Sequence, residues 1–79
     1  MMQVYQSAGY KFKFNAETKS NIAVYKPNQT NSCCSILGPN ESDVSLYMIK
    51  CEDWLLNKGI LTKRDYEYNV GRILIDKLV

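Results

Sequence analysis

The sequence predicts an α+β domain in which a three- or four-stranded antiparallel sheet is followed by a C-terminal helical hairpin. Three observations predict it. Tyr10-Lys11-Phe12-Lys13-Phe14 alternates ring and lysine, the period-two pattern of a strand with one face on a core and one in water. From Glu41 to about Lys58 the spacing turns helical, with Val44, Tyr47, Met48, Cys51, Trp54 and Leu55 gathered on one broad face. A second helical stripe, Tyr66, Val70, Ile73 and Leu74, begins after a connection short enough to force the two helices together. A chain of 79 residues buries too little surface to divide its core, so 1–79 reads as one domain. Residues 1–39 form its β-rich part and 40–79 its helical hairpin.

The elements follow in order. Gln3 to Ala8 reads as a first strand, and Gly9 allows a tight turn or bulge into the Tyr10–Phe14 strand. Asn15 to Ser20 is rich in turn formers, and Asn21 to Lys26 gives a third strand, with Ile22 and Val24 on one side and Ala23 and Tyr25 on the other. Pro27 stops it. Asn28 to Ser32 reads as a mobile polar loop, because Asn and Ser side chains compete for backbone hydrogen bonds. Cys33 to Leu37 is the optional fourth strand. Gly38-Pro39-Asn40 marks the switch to helix, with Asn40 as the expected N-cap and Asp43 three residues on. Gly59 is a helix stop. Thr62 followed by Asp65 caps the second helix, which runs to about Lys77.

Composition and motif content narrow the chemistry. A hydrophobic fraction of 46% and a charged fraction of 23% are ordinary globular usage, so disorder and fibrous repeats are not indicated. With no histidine, Ser-His-Asp and Cys-His catalysis and imidazole-containing zinc shells are excluded. Glu52-Asp53 and Asp65/Glu67 fall at helix positions expected to be solvated, so paired-carboxylate chemistry is not expected either. Glycines at 9, 38, 59 and 71 are too scattered for a phosphate-binding loop. The expectation is a non-enzymatic protein without cofactor or metal. Cys33, Cys34 and Cys51 lack a fourth ligand, and reduced, structural thiols are expected. Cys51 lies on the core stripe, and one of Cys33 and Cys34 is expected at the surface because adjacent strand residues face opposite ways. No apolar run approaches the roughly 20 residues of a membrane-spanning helix, and no secretory signal pattern opens the chain, so a cytoplasmic location is expected.

Charge is uneven: up to Asn40 four lysines stand against Glu17 alone. Lys11, Lys13 and Lys26 on the strands, and Lys63 and Arg64 on the second helix, are therefore the candidate nucleic-acid contacts. A stacking platform needs rings and cations on one side, whereas the Tyr10–Phe14 alternation separates them. Read as a helix-turn-helix with Gly59 in the turn, the hairpin places Asp65 where that motif buries an apolar residue.

The run Cys51 to Leu74, with its apolar helix, Gly59, Ile60, Thr62, Asp65 and Tyr66, resembles the short helical hairpins called SHOCT modules, a likeness that implies a role in assembly. The size and the order of strands before paired helices also resemble some phage-encoded anti-CRISPR inhibitors, which implies a small stand-alone regulator or inhibitor.

What remains after the cores are assigned points to a partner. Tyr68, Arg72, Ile75 and Val79 fall on the side of the second helix opposite its core stripe, and Ile49 and Leu56 lie off the core face of the first. So small a domain has little second layer to cover them. Tyr68, Arg72 and Ile75 are accordingly the candidate partner-binding residues, for a protein or a second copy of the chain. Nucleic acid is the alternative partner.

Overall fold

In the computed structural model, which describes residues 1–78, four strands precede two helices: β1 (Gln3–Ser7), β2 (Tyr10–Phe14), β3 (Ile22–Tyr25), β4 (Cys34–Ile36), α1 (Val44–Asn57) and α2 (Lys63–Leu78). The fourth strand left open by the sequence is present. All three pairings are antiparallel in the order β1-β2-β3-β4, a plain meander.

Side-chain register follows from the turns. Ala8 and Gly9 both take positive φ, 54° and 80°, the geometry of a two-residue hairpin whose twist matches that of its strands. That turn sets Tyr5 opposite Phe12, and β2 sets Phe12 opposite Val24. Phe12, Phe14, Ile22 and Val24 consequently share one face and are buried, together with Ala16, against Tyr47, Cys51 and Leu55 of α1. Phe14 and Tyr47 stack at 4.7 Å and 9°. Full burial of rings and aliphatics is worth about 1.5–3 kcal/mol each, so this sheet–α1 contact dominates the stability. Gly38 makes a close approach: a Cβ there would stand 2.3 Å from the Ser20 carbonyl oxygen and 3.2 Å from the Tyr47 ring.

Helix α1 starts later than the sequence suggests. Asn40 takes a positive φ of 54°, and Asp43, in extended conformation, is the N-cap instead. Its carboxylate accepts from the Ser45 N–H at 3.0 Å and the Ser45 hydroxyl at 2.7 Å. An ionised acid at the N-cap satisfies an orphan N–H and also meets the positive end of the helix dipole, which Asn40 cannot do. Lys58 and Gly59 close the helix by donating to the Trp54 and Leu56 carbonyls. Thr62 caps α2 as expected, its Oγ1 accepting from the Asp65 N–H at 3.1 Å.

The hairpin does not lie on the sheet as two equal helices. Helix α1 covers it, while α2 packs mainly on α1, and Ile73 is the one buried residue of α2 among those described. What ties α2 down is a polar seam. Glu52, expected in solvent, is fully buried. Its two carboxylate oxygens accept from the Tyr5 hydroxyl at 2.6 Å and the Asn69 amide at 3.0 Å, so one side chain joins β1, α1 and α2. Asp53, also expected in solvent, is half-buried and accepts from the Tyr66 hydroxyl. At the far end Lys77 pairs with the capping Asp43 at 2.6 Å. The Cα extents of 30 × 28 × 17 Å fit two layers and leave no third among the described residues to cover either outer face.

Candidate functional site

Helix α2 turns about 100° per residue, so the side that meets α1 through Tyr66, Asn69 and Ile73 leaves Tyr68, Gly71, Ile75 and Leu78 pointing away. Tyr68 is 65% exposed and Ile75 61%. The Arg72 guanidinium sits 6.0 Å from the Tyr68 ring centroid, a cation–π contact one helical turn apart. Thus the structure brings the three candidate partner-binding residues onto one exposed side of one helix. Val79 lies outside the described residues.

Leu74 is a correction. The sequence places it on the core stripe, yet it is 45% exposed, because it stands a further 100° round from Ile73 and the sheet does not extend beneath that flank. With Leu78, 86% exposed, it widens the apolar face beyond the three candidate residues. Ile49 and Leu56, by contrast, are half-buried on the side of α1 that carries Glu52 and Asp53 toward α2, so α2 itself is their cover. Gly71, half-buried, lies within this face, and apart from its own helix's backbone a Cβ built on it meets no atom of the described residues within 4 Å. The described residues therefore leave open space where a side chain at position 71 would stand.

Beside this face, between β1 and α2, lies an open cavity of about 400 Å³ lined by Tyr5, Ser7, Met48, Asn69, Arg72 and Asp76. Arg72 is thus shared between the exposed face and the cavity rim. Tyr5 and Asn69, the two donors to buried Glu52, both line the cavity. Burial, and then the bond to Glu52, push the Tyr5 phenol well above its ordinary pKa, while the bond to Asp53 chiefly raises Tyr66 to about 12. Both phenols are protonated donors at neutral pH and hold the seam together through their hydrogen bonds.

The candidate nucleic-acid residues are divided among three places. Lys11 and Lys13 stand on the sheet face away from the helices, where β3 adds Tyr25 opposite Lys11, and the Lys13 ammonium lies 4.9 Å from the Tyr25 ring centroid. A ring does share the lysine face, contributed by the neighbouring strand rather than by β2 itself. Lys26 lines a separate hollow with Lys58, Cys33 and Cys34. Lys63 and Arg64 lie in the first turn of α2, in the helical layer.

Both Cys33 and Cys34 are exposed, not one of them. The Cys33 N–H bonds the Val24 carbonyl at 2.8 Å although Val24's strand partner is Cys34, so two residues oppose one. This bulge-type end of β4 cancels the usual alternation and turns both side chains to one side. Cys51 is buried in the core, where burial first and the neighbouring Glu52 second hold its thiol well above the usual range. Among the described residues no three Cys, Asp or Glu side chains cluster as a metal shell would require, and no helix is long and apolar enough to cross a membrane. No protein-family model, curated protein or solved structure matches the chain.

Proposed function

We propose that the protein is a non-enzymatic binding module, a small regulator or inhibitor that acts by seating the outer face of α2 on a larger protein. The observation that carries this reading is the exposed strip of Tyr68, Leu74, Ile75 and Leu78, with half-buried Gly71 among them, on a helix that, among its described residues, buries Ile73 alone. A helix that exposes this much apolar surface and a glycine with empty space above it is shaped for close approach by another backbone. Tyr68 and Arg72 supply the aromatic and guanidinium pair that interface anchors favour. The test is affinity capture with the intact chain, followed by mass determination of the complex in solution. A defined heteromeric complex supports the proposal; a chain that remains monomeric and captures nothing contradicts it.

A second reading, nucleic-acid binding, rests on Lys11, Lys13 and Tyr25 sharing the open sheet face. On that reading log affinity falls linearly with log salt, and Lys11→Ala with Lys13→Ala flattens the slope by about one for each phosphate that the protein ceases to neutralise. Salt-independent or absent binding rules it out.

A further inference from the structure

The two exposed cysteines form a built pair rather than two separate thiols. Their sulfurs lie 3.5 Å apart at the edge of an open hollow of about 420 Å³, walled by Tyr10, Trp54 and Ile60 and flanked by Lys26 and Lys58. The spacing discriminates between the things a dithiol can do. Closing a disulfide would bring the sulfurs to about 2.05 Å, between Cα atoms held only about 3.8 Å apart by one trans peptide, below the usual range for disulfides. A two-coordinate soft ion holds its thiolates in line, about 4.6 Å apart for bonds of about 2.3 Å, which is wider than the pair. With bonds of the same length, 3.5 Å corresponds to an S–X–S angle of about 100°. That angle is narrower than tetrahedral and is the angle of a pyramidal trivalent centre.

From this geometry we infer that Cys33 and Cys34 are a chelating dithiol site for a trivalent arsenical. The chemistry balances without any redox change. An organoarsenic(III) oxide loses its oxygen as water, taking the two thiol protons, while two arsenic–sulfur bonds form. Arsenic remains trivalent throughout, and its organic group, if aromatic, lies against the apolar wall at Trp54. Burial, and then the bond to Cys33, raise the Cys34 thiol above its usual pKa, while Lys58 and Lys26 pull it down. Each thiol gives up its proton as its arsenic–sulfur bond forms, and the departing water carries both protons away. Two thiols already at bridging distance close the second bond at high effective concentration, so chelation should exceed single-thiol binding by roughly 100-fold or more.

The test uses the intact reduced protein, phenylarsine oxide as probe and mass spectrometry as readout, with Trp54 fluorescence followed in parallel. Expected is one adduct per chain, heavier by one reagent less one water, that survives an excess of monothiol and is reversed by a small dithiol. Cys33→Ser and Cys34→Ser should each weaken binding at least about 100-fold while keeping the far-ultraviolet circular dichroism of the parent. Cys51→Ser should retain the adduct, since that thiol is buried. Should Cys51→Ser fail to fold, mapping the adduct by proteolysis of the parent gives the same answer. An adduct that persists in either single variant at Cys33 or Cys34, that maps to Cys51, or that forms only after unfolding overturns the inference, as does the absence of a stoichiometric adduct.

Discussion

Replacing Gly71 with alanine separates what the folded chain needs from what a partner needs. Glycine inside a helix costs about 0.5–1 kcal/mol relative to alanine through its backbone entropy. Apart from its own helix's backbone, a Cβ at position 71 meets no described atom within 4 Å, so nothing there resists the added methyl. Gly71→Ala should then recover that cost in full. For a domain of this size 1 kcal/mol moves the thermal midpoint by about 4–8 °C, so the variant should melt about 2–8 °C higher by circular dichroism. The same methyl sits in the middle of the exposed strip and holds an approaching backbone off, so partner binding should weaken. A midpoint that falls, or one that rises while affinity is unchanged or improved, would refute the reasoning that Gly71 is kept for a contact outside the chain.

Other perturbations test the account of the fold. Tyr5→Phe leaves one oxygen of buried Glu52 without its donor and should cost about 1.5–3 kcal/mol in urea unfolding, against little effect if the seam is dispensable. Gly38→Ala drives a Cβ to 2.3 Å from the Ser20 carbonyl and should destabilise by about 1–3 kcal/mol, so an unchanged midpoint would mean that the chain relaxes there freely. Asp43 is held at about 2, below its ordinary 3.8, chiefly by its bond to Lys77 and then by Ser45. Its native pKa is the depressed one, so its stabilisation is present above the unfolded value and is lost as pH falls from about 4 to about 2. Asp43→Asn, which keeps a capping oxygen, should be less stable than the parent at pH 7 and converge with it as pH falls below about 2.

How much of this is legible in the sequence depends on whether a residue's surroundings come from its own element. The Tyr10–Phe14 alternation, the Thr62 cap and the outward side of α2 are local patterns, and the structure places them as read. Helix periodicity puts Glu52 in solvent, but its burial is made by Tyr5 and Asn69, which lie 47 and 17 residues away and leave no mark on that periodicity. Leu74 departs the other way: it has core spacing on α2, but α1 alone is too narrow to cover it. The capping pattern points to Asn40 with Asp43 as its acid, whereas Asp43 itself caps α1, held there by the bond to Lys77 from the far end of α2, which the local pattern does not show. Cys33 and Cys34 defeat the alternation rule because a bulge-type pairing with Val24 depends on the partner strand. Tyr25 joins Lys11 and Lys13 only through the β2–β3 register.

The claim that α2 presents the contact surface is tested most directly by measuring folding and binding side by side in Tyr68→Ala and Ile75→Ala. Both side chains are mostly exposed, so each truncation should change folding stability by less than about 0.5 kcal/mol and leave the thermal midpoint nearly unmoved. As interface anchors they should each cost about 1–4 kcal/mol of binding, on the order of 5- to 1000-fold in affinity for the captured partner. Midpoints that drop sharply while affinity survives would contradict the account, making these side chains part of the core and moving the binding surface to the sheet.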